Sequence, residues 1–573
     1  MRALLFSLLL LPPTLALGFS PDDTNRVLVV WNGAWTRDND FNGVQDSEQI
    51  KDAYVSMRGI PTNHVLEVTT LPAWSYPTHT QFFDELVSPI TNALATIGPT
   101  NIDVITVIYG IPVRVPGETN IISTDNVLMN LYNLDRNTPS PEPVQSPYLE
   151  PTPTFFTDNG HFNHNAYQVS GEHMYMVCRL SAPDAPRGVL NQLMQTRYAE
   201  TYMGTNGIKG PLYLDTRWGP YTHSGLATNA DVIAGNYLQL NQGDLNIAYT
   251  ESYMTNSGID LQWENLGTDY EIGEAGAGIT NANEAWFYMG WYNFTNYNDV
   301  FDWLPGSVGC DLNSSSGFGL YDGSSWIGGA FQQGLTAAAG VLGEPYLNGH
   351  ARPNVLAYYL LQGYTFAEAS HLATPLLEWQ AVNLGDPLYA PLAHHTIGQD
   401  TNPPVFLSGY PAATNRNTRS ATIPFQIQTS YTNPEVASAV LTYGLTPDCE
   451  FTNSSQKGFW FWNEWDLQDL LPGTTYYYRV FLSDPAGNTT NSSLQTFTTY
   501  PEIDLETRVS TNGYLLRWDS DTNHTYSILA GTDLTLPFGS LATNIVATPP
   551  MNTYTTAAPA SPGTQFYRVR IEP

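Results

Sequence analysis

The run Asp38-Asn39-Asp40-Phe41-Asn42-Gly43-Val44-Gln45-Asp46 sets oxygen-bearing side chains at alternating positions with glycine sixth. This is the spacing with which a loop wraps a calcium ion. Asp38, Asp40, Asn42 and Asp46 are the expected ligands. The twelfth position is Gln49 rather than a bidentate glutamate, and Glu48 stands one place early. An uncoordinated polar turn is therefore the competing reading.

A second constellation runs from Pro305 to Gly317, where the apolar stretch through Val308 and Cys310 delivers Asp311, Asn313, Ser314, Ser315 and Ser316 to its carboxyl end. Open α/β sheets form ligand sites at such ends. Ser314, Ser316 or Cys310 could act as a nucleophile if a base activated it. Serines that line a turn and a core cysteine are the structural alternative. Asp125, Asp311, Glu344 and His350 are the candidate acid and base groups. His161, His164 and His173 cluster at a spacing compatible with a transition metal or with solvated loop histidines. Trp286, Trp291, Tyr292, Tyr297 and Trp303 suit either a buried core or a platform on which sugars and extended chains stack.

These residues need elements to hold them. Val27-Leu28-Val29-Val30-Trp31-Asn32 reads as a strand buried on both faces. Ser47 to Met57 has helical spacing of Ile50, Ala53, Tyr54 and Met57, with Ser47 placed as its cap and Gly59 placed to end it. Strands are expected again at Ile102–Tyr109, Met174–Leu180, Pro211–Asp215, Ala285–Met289 and Gly306–Asp311. Helices are expected at Phe82–Ile97, Ala185–Tyr198, Ala227–Leu238, Gly328–Gly334, Asn354–Gln362 and Phe366–Ala381. The alternation predicts an α/β layered domain with a mostly parallel sheet over residues 19–400, its polar strand tips along one rim. Arg136 to Gly160 has neither periodicity and reads as a surface insertion.

Composition narrows the partners. The chain has 573 residues, a formal net charge of −32 and three lysines, Lys51, Lys209 and Lys457. Phosphate binding needs clustered Lys and Arg, so nucleic acid and acidic lipid are excluded as expected partners. Residues 1–18 read as a secretory signal: Arg2, the apolar run Leu4 to Leu11, then Ala16-Leu17-Gly18. That run is shorter than the ~20 residues a membrane span needs, and no later stretch reaches that length without charges or glycines. Cys178, Cys310 and Cys449 are too few and too far apart for a disulfide framework or a zinc site, and are expected as buried thiols.

Beyond residue 400 the texture turns to strands and turns. Leu470-Leu471-Pro472-Gly473-Thr474-Thr475-Tyr476-Tyr477-Tyr478-Arg479-Val480, followed by Asp484-Pro485-Ala486-Gly487-Asn488, resembles the fibronectin type III family over residues 401–499. Residues 500–573 read as a small C-terminal β module. Several segments of the first domain together resemble a family of exported bacterial proteins known by a number, with no established activity. They include Arg58-Gly59-Ile60-Pro61, Tyr109-Gly110-Ile111-Pro112-Val113-Arg114, Leu214-Asp215-Thr216-Arg217, Met289-Gly290-Trp291-Tyr292, Gly343-Glu344-Pro345-Tyr346-Leu347 and Leu384-Gly385-Asp386-Pro387-Leu388-Tyr389. The domain is more remotely similar to the gingipain and caspase-like cysteine peptidases. On that likeness Gly290-Trp291 takes the place of the catalytic histidine and Asn313-Ser314 that of the cysteine, so the dyad is missing.

Two functions fit. One is a degenerate hydrolase-like exported protein with a cleft at the strand ends. The other is an extracellular glycan- or peptide-binding protein whose β modules act as spacers.

Overall fold

The computed structural model describes residues 23–116, 121–134, 136, 143–148, 162, 164, 173–202, 210–217, 243–244, 246–248, 250–251, 259–266, 271–291, 296–344, 346–361, 363–391, 403–414, 416–427, 438–454, 462–483, 488–511, 513–520, 524–534, 536–557 and 564–572. The signal segment, Ala227–Leu238, His161, Tyr292 and, apart from Arg136 and residues 143–148, the Arg136–Gly160 insertion lie outside these residues. The chain divides into two compact units at residues 401/402.

The first unit is built on a 10-stranded sheet. In chain order its strands are β1 (Val27–Asn32), β2 (Val65–Val68), β3 (Val104–Ile108), β4 (Met176–Leu180) and β5 (Leu212–Asp215), then β6 (Leu261–Glu264), β7 (Ala282–Gly290), β8 (Phe301–Asp311), β9 (Ala337–Val341) and β10 (Ala381–Leu384). Their order across the sheet is β2-β1-β3-β4-β10-β9-β8-β7-β5-β6. The inner strands are apolar runs with every residue of β3, β4 and β9 buried, as expected for strands covered on both faces.

Every neighbouring pair is parallel except β9 and β10, which run antiparallel with Ala338 opposite Leu384 and Val341 opposite Ala381. The sheet is therefore two parallel halves of opposite direction. Numbered along the chain within itself, each half has the order 2-1-3-4-5, an arrangement of doubly wound sheets that bind ligands where the first and third strands diverge. The expected single rim is thus corrected: the carboxyl ends of β1 to β4 and β10 emerge on one edge, and those of β5 to β9 on the opposite edge. Strand direction across a seam is a long-range property that no local pattern encodes.

Helix α1 (Asp46–Arg58) buries Ile50, Ala53, Tyr54 and Met57 and ends at Gly59, whose φ of 67° only glycine adopts cheaply. Its start is Asp46, not a Ser47 cap; the Ser47 hydroxyl instead accepts from the Asn32 amide at 3.2 Å. Helix α2 (Ser88–Ile97) and helix α3 (Arg187–Tyr202) fall where expected. The helix expected over Phe366–Ala381 stops at Ala373, because Pro375 cannot continue it, and the chain re-enters the sheet as β10. Arg58 at the end of α1 donates to both Glu200 oxygens at 2.9 Å and to Asp386 at 2.7 Å, tying α1, α3 and the Gly385-Asp386-Pro387 turn together.

The second unit is all β. In it β11 (Ala421–Gln426) pairs with β14 (Trp462–Leu467), while β12 (Ser438–Gly444) lies between β13 (Phe451–Ser454) and β15 (Thr475–Ser483). Strands β16 (Thr489–Asn491) and β17 (Gln495–Thr498) also pair with β15. All of these pairs are antiparallel. Alternation along β15 buries Tyr476, Tyr478, Val480 and Leu482. Towards the C-terminus, Leu516, Trp518, Tyr526, Ile528 and Ile571 form a core with Tyr500. The strands there form two three-stranded sheets.

Candidate functional site

At the carboxyl edge of the second half-sheet the strands end in register. Asp215 pairs with Glu264, Gly290 with Asp215, and Gly290 with Asp311. Register partners in a parallel sheet share a face. The last rung therefore reads Glu264, Asp215, Gly290, Asp311 across four adjacent strands. Glycine is required in the third place, since a Cβ there would come within 2.5 Å of the Asp215 Cβ and 2.6 Å of the Tyr288 hydroxyl.

All three carboxylates of the rung are buried. Asp215 accepts from the Ile272 amide at 3.1 Å and from the Tyr288 hydroxyl at 3.5 Å. Glu264 accepts from the Ile279 amide at 2.8 Å through Oε2, and its Oε1 is buried without a hydrogen-bond partner. Burial pushes the Asp215 carboxyl well above the ordinary range, and the nearby Glu271, Glu264 and Asp244 carboxylates push it further. A carboxylate so disfavoured in its ionised form gains from a nearby cation. Asp311 accepts from the Asn313 side chain at 3.0 Å.

The segment after β8 is bonded both to the end of β7 and to the segment after β9. Leu312 N–H donates to the Gly290 carbonyl at 2.9 Å, and Ser315 N–H to the Gly343 carbonyl at 2.7 Å. Ser314 is half-buried at this junction and Glu344 is exposed. Ser316 is turned inward, its hydroxyl accepting from the Val341 amide at 3.2 Å. His350 is buried, and burial holds its imidazole neutral with a pKa of about 3. No hydrogen bond among the described residues joins His350 to Ser314 or Ser316. Asp125 stands apart, in a buried pair with Arg179. Cys178, Cys310 and Cys449 are free and buried, and burial raises all three thiols. An activated nucleophile is missing from these contacts.

In the acidic loop Asp38 accepts from the Asn42 amide at 3.1 Å and from the Gly43 amide at 2.8 Å. Asp40 Oδ1 and Gln49 Oε1 are buried oxygens without a hydrogen-bond partner. Asp46 is spent otherwise, taking the Asn39 amide at 2.8 Å, the Asn39 side chain at 2.8 Å and the Trp35 indole at 3.3 Å. Among the described residues no three His, Cys, Asp or Glu side chains converge as a metal-holding group.

The remaining candidates are absorbed by packing. His164 presents Nδ1 to the Met174 carbonyl at 2.7 Å and Nε2 to Asp103 at 2.9 Å, so neither ring nitrogen is open to a metal. Trp286 and Trp303 are core, the latter stacked on Phe301 at 4.6 Å. Trp291 is buried directly after Gly290. Sequence reasoning passed over Glu264, Glu271 and Asp244, and treated Asp215 as a strand end and as part of the Leu214-Asp215-Thr216-Arg217 segment, without a role in a site. The available signal was that Asp215 closes a short apolar run.

No family model and no curated protein matches the chain. Solved structures do. The sensor domain of the anti-sigma factor RsgI4 of Pseudobacteroides cellulosolvens is 22% identical, covering 18% of this chain and 100% of that one, with a TM-score of 0.14. The FN1–FN3 domains of chicken CNTN1 are 14% identical over 30% of this chain and 60% of that one, TM-score 0.14. The fibronectin type III domain of human fibronectin type III domain containing protein 3 is 17% identical over 19% and 94%, TM-score 0.14.

Proposed function

We propose that this is an exported, non-hydrolytic binding protein whose α/β unit takes a peptide or glycan at the carboxyl edge of the second half-sheet. One observation carries the reading. Gly290-Trp291 and Asn313-Ser314 lie at the carboxyl ends of two adjacent, register-paired strands, and on the proposed likeness to caspase-like or gingipain-like peptidases they would take the places of the histidine and the cysteine. Neither an imidazole nor a thiol stands there, and the chain's own thiols are buried. A fold that keeps the edge without the dyad can bind a chain without cleaving it.

Residues 401–499 are proposed to be a fibronectin type III-like spacer. Supporting this, the Tyr476 hydroxyl accepts from the Leu471 amide at 2.8 Å, a tyrosine bonded back to the backbone a few residues upstream. Calcium is proposed at Asp38, Asp40 and Asn42, with Gln49 beside them and Asp46 outside the ligand set. Among the described residues no helix is long and apolar enough to cross a membrane.

The test is to probe peptide and glycan arrays with the labelled full chain, alongside fluorogenic peptide turnover. Binding that Ser314→Trp blocks, with no turnover, supports the reading. Turnover by the wild type, or silent arrays, overturns it.

A further inference from the structure

We propose that Asp215 and Glu264, closed under the loop Glu271–Ile279, receive a cationic nitrogen of the ligand, an ammonium or a guanidinium group. The place rests on the binding reading above; the chemistry rests on the two carboxylates.

Buried charges in proteins are paired or hold a cation. Elsewhere in this unit the buried carboxylates Asp103, Asp125, Glu200 and Asp386 each meet an arginine, while Asp46, Glu368 and Glu378 are satisfied by neutral side-chain and backbone donors. Asp215 and Glu264 meet no arginine: among the described residues no Lys, Arg or His pairs with either, and their partners are two amides and a hydroxyl. One oxygen, Glu264 Oε1, is buried and has no partner at all. Two carboxylates on one face of neighbouring strands, roughly 5 Å apart by strand spacing, suit a donor with several N–H groups.

The fold does not demand charge at this position. The first half-sheet has the same strand order, and the residue equivalent to Asp215, the last of its first strand, is Asn32. That amide is fully used, donating to the Thr70 carbonyl at 3.1 Å and the Gly110 carbonyl at 2.8 Å and accepting from the Ala34 and Thr70 amides at 3.0 and 3.2 Å. A neutral, satisfied solution is therefore available to this architecture. The second half carries instead an acid whose ionised form is disfavoured by burial and by Glu271, Glu264 and Asp244. An arriving cation offsets that cost.

The covering loop is suited to opening. Gly273 and Gly276 have φ of 90° and 116°, and the loop closes on itself through Gly273 N–H to the Ile279 carbonyl at 2.8 Å. It touches the two carboxylates through the amides of Ile272 and Ile279. Its tip, Ala275 to Gly278, has no large side chain to anchor it.

Calorimetry on the full chain tests this with n-pentylamine and n-butylguanidine, and with 1-pentanol as the uncharged control. Both cations are expected to bind and pentanol to be silent. Asp215→Asn and Glu264→Gln should each weaken the cations at least tenfold, and Asp215→Asn should melt no lower than wild type. Asp215 faces Glu264, Glu271, Asp244 and Tyr288, and an arriving cation is expected to draw its raised pKa back down. Pentanol binding as well as the amine, variants with unchanged affinity, or calcium displacing both amines would overturn it. If array ligands still bind and the amines do not, this inference fails and the binding reading stands. Amine binding with silent arrays means the opposite: the cation site stands and the peptide or glycan reading fails.

Discussion

Arg179 and Asp125 face each other as a two-pronged ion pair with both side chains fully buried: Nε lies 2.8 Å from Oδ2 and Nη2 lies 2.7 Å from Oδ1. The remaining Arg179 donors reach the Ile111 and Pro112 carbonyls at 2.7 and 3.3 Å, so the guanidinium closes the loop after β3 onto β4. Removing one member leaves the other charge buried. Asp125→Ala is expected to lose about 3–5 kcal/mol in urea unfolding, while a ligand of the opposite edge binds the folded fraction normally. A variant as stable as wild type would show that Asp125 does not hold the fold.

Ser316 makes the same point on a smaller scale. Its hydroxyl accepts the buried Val341 amide. Ser316→Ala is expected to lose about 1–3 kcal/mol in chemical denaturation, the cost of an unsatisfied buried donor. A lost function at unchanged stability would instead place Ser316 in the site.

Acid should destabilise the first unit through His350 and His371, both held by burial at about 3. Between about 6.5 and that value the unfolded histidine takes up a proton and the folded one does not. Their contribution is thus complete above about pH 6.5 and falls with acid by up to about 1.4 kcal/mol per pH unit for each histidine. Asp215 works the other way. Its raised pKa contributes stability that is full below the ordinary carboxyl range and lost as pH climbs through the folded value. Unfolding free energies across pH 4–8 for wild type, His371→Gln and Asp215→Asn should show slopes reduced in opposite senses; parallel curves would refute both.

Calcium should raise the melting temperature relative to chelator, by about 2.7 kcal/mol of linkage at a hundredfold excess over Kd. Asp40→Ala should abolish the rise. Asp46→Asn should keep it while lowering the baseline, because Asp46 braces Asn39 and Trp35. A rise that survives Asp40→Ala would move the ion elsewhere.

Much of the scaffold was readable locally. Val27–Asn32 and Met176–Leu180 announce themselves as apolar runs, and Gly59 as a helix stop, because burial on both faces and a left-handed turn leave a mark on neighbouring residues. Val65–Val68, Leu261–Glu264 and Ala337–Val341 were not readable. They are short, and Glu, Gln and Ala carry little strand preference.

By itself the chain determined its alternation of helices and strands, its all-β second part and its acidic charge, since each follows from residue type and short-range period. Only the tertiary structure decided that the sheet reverses between Ala337–Val341 and Ala381–Leu384, and that Asp125 belongs to Arg179. It alone brought Asp215, separated from Glu264 by a long stretch of chain, to the same rung. Which strand lies beside which, and in which direction, is set by packing between distant segments, and that is where a shared carboxylate pair arises.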